Sequence, residues 1–66
     1  MNTILTMWCI FDNNNAPLPN TLNIDKSSCL SSLCNSKTWI YELKPKGYTL
    51  RQVQVTISEL TTPKIN

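Results

Sequence analysis

Hydrophobic and polar positions divide the chain into three stretches of different rhythm. From Thr3 to Phe11 apolar residues fall on both alternating sets, with Ile4, Trp8 and Ile10 on one and Leu5, Met7, Cys9 and Phe11 on the other. Such a run reads as a strand covered on both faces. A domain this small has difficulty covering both, so one face is expected to meet something outside the chain. Asp12 to Asp25 carries five Asn, two Asp and two Pro. Asn and Asp bond to their own backbone and Pro removes a donor, so this is a loop, pinned to the core by Leu18, Leu22 and Ile24. Over 26–35, Cys29, Leu30, Leu33 and Cys34 share a helical stripe behind Asp25 as N-cap, which predicts a short helix.

The third stretch alternates. Trp39, Tyr41 and Leu43 are followed by Lys44-Pro45-Lys46-Gly47, then by Tyr48, Leu50, Val53, Val55 and Ile57. Pro at the second and Gly at the fourth position suit a type I turn. The pattern predicts a β-hairpin of 38–43 and 48–59, with Leu43 opposite Tyr48 and Tyr41 opposite Leu50. The apolar parity switches between Leu50 and Val53, and a bulge at Arg51-Gln52 would bring both halves to one face. A single helix from Asp25 to Leu43 competes with this reading, but Thr38, Trp39, Ile40 and Tyr41 favour strand. The expected fold is therefore β-rich α+β, a three-stranded antiparallel sheet with one short helix. It forms one domain over 1–60, followed by a tail, 61–66.

At 66 residues the chain is long enough for one domain with a thin core. Eight Asn, eight Thr and six Ile against one Gly, one Ala and one Arg fit an AT-rich genome such as that of a phage or virus. Met1 to Phe11 lacks a basic n-region and a small-x-small cleavage site, and is too short to span a bilayer as a helix. No Asn-x-Ser/Thr acceptor occurs. The expectation is an intracellular protein, cytoplasmic or within a virion, that is not secreted and has no membrane span.

The composition offers little for chemistry. There is no His, and Asp12, Asp25, Glu42 and Glu59 show no pairing for general acid–base work. One Gly rules out a glycine-rich phosphate loop. Three cysteines without His do not complete a standard zinc site. Cys29 and Cys34 are either helical with free thiols or bridged in a loop, and the odd count favours reduced thiols. No enzyme activity and no cofactor are expected. A net charge of +2 falls short of a nucleic-acid-binding stripe.

These features point to a small non-catalytic subunit that binds another protein or a second copy of itself. It would be an accessory or structural component of a larger assembly, or an inhibitor of a host protein. The candidate contact residues are Met7, Trp8 and Ile10 on the first strand and Gln52, Gln54 and Thr56 on the outward row of the last. The last strand has no Pro and little charge to resist strand addition. The alternative is a small nucleic-acid-binding protein using the basic tip, with Lys44, Lys46 and Arg51 on phosphates and Tyr48 as a stacking platform.

Overall fold

A computed structural model describes residues 2–58. Strand β1 (Asn2–Phe11) and strand β2 (Thr49–Ser58) form a two-stranded antiparallel ribbon that runs unbroken from Asn2↔Ser58 to Phe11↔Thr49. Between them, loop 12–25 and a helical stretch fold against the Phe11–Thr49 end. That stretch comprises α1 (Lys26–Ser31), then α2 (Ser36–Thr38), which continues as a π-helical turn over Trp39–Leu43 and a 3-10 turn over Lys44–Lys46. The α+β class and the antiparallel pairing are as expected, but the sheet has two strands instead of three, and the partner of β2 is β1. The expected tail 61–66 and the final residues of the expected last strand lie outside the described residues. No helix in the described part is long and apolar enough to cross a membrane.

Residues 38–43 are helical and not a strand, for identifiable reasons. The Asn35 side chain accepts the Thr38 N–H at 2.7 Å, and its carbonyl accepts the Trp39 N–H at 3.0 Å, which starts a helix. Trp39 is buried, Leu43 four residues on packs against the same cluster, and Tyr41 between them is 76% exposed. The stretch thus shows helical spacing on one face, and core packing overrides the strand preference of Thr38 to Tyr41. The 44–47 turn forms, with Gly47 N–H donating to Lys44 O at 3.1 Å, but it joins a helix to β2. Gly47 adopts φ +103°, which its missing Cβ permits.

Helix α1 is shorter than expected. Ser32 Oγ donates to Cys29 O at 2.6 Å, and the Leu33 N–H that would extend the helix to that carbonyl turns to Leu30 O at 3.1 Å instead. Asp25 occupies the N-cap position without a side-chain cap bond. In loop 12–25, Asp12 Oδ1 accepts the Asn14 and Ala16 N–H groups at 2.8 and 3.0 Å, closing the turn as its composition implies. Its main anchor is Thr21. The hydroxyl, wholly buried, accepts the Ile10 N–H at 2.9 Å and donates to Leu18 O at 2.7 Å. Ile24, expected as a pin, is exposed.

The core sits entirely at this end. Ile10, Cys29 and Trp39 form its centre, and Trp8, Leu18, Leu30, Cys34, Leu43, Tyr48 and Leu50 pack around it. Among the described residues, the outer edge of β1 is covered only here. Trp8 exchanges backbone bonds with Asn23 at 2.7 and 3.0 Å, and Leu18 N–H reaches Ile10 O at 2.9 Å. Loop residues 17–23 thus stand partly in for a third strand.

Candidate protein-interaction surface

Register decides which side chains share a face. Directly opposed residues of an antiparallel pair lie on the same side. Ile10 pairs with Leu50 and Trp8 with Gln52 on one face. Met7 pairs with Val53, Leu5 with Val55 and Thr3 with Ile57 on the other. The pairing is continuous through Arg51 and Gln52, so the expected bulge is absent. The parity switch instead moves the apolar surface from one face of the ribbon to the other. Near the base, Ile10 and Leu50 face the chain's own helices. Farther out, Leu5, Met7, Val53, Val55 and Ile57 form an apolar stripe on the opposite face. None of these five belongs to the core cluster, and Ile57 is 51% exposed.

This outer ribbon carries no charge. Asn2–Phe11 has no Asp, Glu, Lys, Arg or His, and β2 has only Arg51, near its start. Its edges are open. Trp8 and Ile10 direct their backbone groups outward to the loop, so by alternation Asn2, Ile4 and Thr6 do likewise beyond the loop's reach. On β2 the opposed residues Leu50, Gln52, Gln54, Thr56 and Ser58 point their backbone groups away from β1. A charge-free open edge beside an apolar face is a template for an added strand.

The sequence-predicted contact residues fall into separate groups. Met7 lies on the apolar stripe. Gln52, Gln54 and Thr56 are exposed along the free edge of β2, with side chains on the opposite face. Trp8 is half-buried against the core, with Lys26 Nζ 5.3 Å from its ring centroid. Ile10 is 0% exposed and offers no surface, because Thr21, Cys29 and Trp39 enclose it. It belongs to the core and not to a contact face.

Nor does the basic tip assemble as one platform. Lys44 and Tyr48 line a groove with Leu50, while Arg51 lies on the opposite face beside Phe11. The Arg51 guanidinium sits 4.3 Å from the Phe11 ring centroid, bonds Thr49 Oγ1 at 3.0 Å and donates to Asn15 Oδ1. Lys46 is exposed on the 3-10 turn.

The thiols are unbridged. Cys9 Sγ lies 3.6 Å from Leu18 O and 3.7 Å from Thr21 Oγ1. Burial pushes the Cys29 thiol pKa up, and burial with a smaller contribution from the Glu42 carboxylate pushes Cys34 up. Raised values suppress the thiolate that nucleophilic or metal chemistry needs. Among the described residues, no group of three or more His, Cys, Asp or Glu side chains could hold a metal ion.

Leu5, Val53, Val55 and Ile57 were not among the predicted contact residues. The signal for them is the parity switch at Arg51-Gln52, which reads as a change of face once the strand is known to be unbulged. Comparison with known proteins finds no matching family, no similar curated protein and no matching solved structure.

Proposed function

We propose that this chain is a small non-catalytic subunit that binds another protein through the outer half of its ribbon. The observation that carries the reading is the uncharged stripe of Leu5, Met7, Val53, Val55 and Ile57, lying on the face opposite the chain's own core and flanked by an open β2 edge. The partner supplies an extended segment that pairs with Gln52, Gln54 and Thr56 and packs apolar side chains on the stripe. An assembly component and an inhibitor would use this surface alike.

The test is affinity purification from cells that naturally produce the protein, comparing the unaltered chain with a Val53→Lys/Val55→Lys variant. Two ammonium groups on the stripe should abolish recovery of the partner while the far-UV spectrum and urea midpoint of the isolated variant stay close to the original. A partner recovered equally by both would refute the assignment.

A further inference from the structure

A concave surface lies on the face of the ribbon opposite the apolar stripe. Between the first turn of α1 and the start of β2 lies a groove with two lobes, of about 500 and 560 Å³, that meet at Lys26, Trp39 and Leu50. Both volumes fall in the range of small-molecule sites. The lobes differ in chemistry. One adds Lys44, Tyr48 and the Gly47 backbone to the shared residues and contains no acidic side chain. The other adds Leu30 and Asp25. Lys26 rests its ammonium against the Trp8 ring, an aromatic face instead of a carboxylate.

We infer that this groove binds a small apolar acid, an aryl or acyl group carrying a single carboxylate. The anionic end belongs in the lobe lined by both Lys26 and Lys44, because Asp25 repels it from the other. The apolar body lies over Leu30, Leu50 and the small part of the Trp39 ring that stays accessible. Lys26 and Lys44 set the sign of the ligand, and the groove's length between Leu30 and Tyr48 sets its size. This site goes beyond the ribbon surface and shares none of its side chains.

Naphthalene-1-acetate and its neutral isostere naphthalene-1-acetamide are titrated into the ¹⁵N-labelled protein and followed by amide chemical shifts. The acid should shift Lys26, Gly47, Thr49 and Leu50 and bind about fivefold tighter than the amide, the scale of exposed charge pairs on two ammonium groups. Lys26→Gln/Lys44→Gln should erase that preference, whereas Lys37→Gln/Lys46→Gln, with the same change in net charge, should keep it. Absence of binding, shifts confined to other residues, or equal affinity for acid and amide would overturn the assignment. The acid–amide comparison uses the unaltered protein, so it stands even if a variant fails to fold.

Discussion

Replacing Thr21 with Val should destabilise the protein more than its conservative shape suggests. The hydroxyl is wholly buried, accepts the Ile10 N–H at 2.9 Å and donates to Leu18 O at 2.7 Å. Valine keeps the shape and removes both bonds. Leu18 O retains the Thr21 backbone N–H at 2.9 Å, but the Ile10 N–H is left without a partner in the core. An orphaned buried donor costs about 1–3 kcal/mol, and we take 2 kcal/mol as the expected loss. In a domain of this size that corresponds to a fall of roughly 8–16 °C in melting temperature. With a urea m-value of about 1 kcal/mol/M for a chain this small, the midpoint should fall by roughly 2 M. Thr21→Ser keeps the hydroxyl and removes one methyl, at a cost of about 1 kcal/mol. Urea and thermal unfolding of the three proteins, followed by circular dichroism, give the comparison. A valine variant within about 0.5 kcal/mol of the original, or more stable than the serine variant, would show that the Thr21 bonds do not fasten loop to strand.

Other consequences are as direct. Cys29 and Cys34 are held neutral in the folded state, so their stabilising effect is full below the unfolded thiol value of 9.0 and falls as pH rises above it. Urea midpoints at pH 8 and pH 10 should therefore differ, with the lower at pH 10. Iodoacetamide should modify half-buried Cys34 before Cys9 and Cys29, and Glu42→Gln should move the Cys34 rate profile to lower pH; mass spectrometry of timed aliquots reads both. Gly47→Ala places a side chain at φ +103°, with its Cβ 3.4 Å from Asn13 Cβ, and should cost about 1–2 kcal/mol by urea unfolding. Asn35→Ala removes the cap on Thr38 N–H and should cost about 1 kcal/mol by the same assay, with the loss of protection from hydrogen exchange centred on 36–43.

Local signals in the sequence identified the elements whose stability is local. Strand β1, the Asp12 turn, a helix beginning at Lys26 and the Lys44–Gly47 turn are all readable from propensity, capping and turn chemistry. What was not readable depends on contacts distant in sequence. Trp39, Tyr41 and Leu43 alternate like a strand, yet only Trp39 and Leu43 face the core, because burial of the indole sets the helical phase. The partner of β2 could not be chosen from pattern alone, since an adjacent strand and one 38 positions earlier satisfy the same alternation. The same ambiguity hid the interaction surface. The parity switch at Arg51-Gln52 fits either a bulge with one apolar face or a regular strand with two, and the pairing Cys9↔Arg51 and Trp8↔Gln52 decides for the second. Trp8 and Ile10 look like contact residues in a doubly apolar strand, whereas loop 17–23 and the helices enclose the strand there and leave Leu5 and Met7 outside.

Site-specific photocrosslinking shows whether the outer ribbon receives a protein partner. A benzoylphenylalanine placed at Gln54, on the free edge of β2, is irradiated in cells that produce the protein. It is compared with the same group at Tyr41, which is exposed on the helical base. We expect one discrete crosslinked protein from position 54, lost on adding Val53→Lys/Val55→Lys, and no equivalent product from position 41. Crosslinking from position 41 alone, or none from position 54, would contradict the claim.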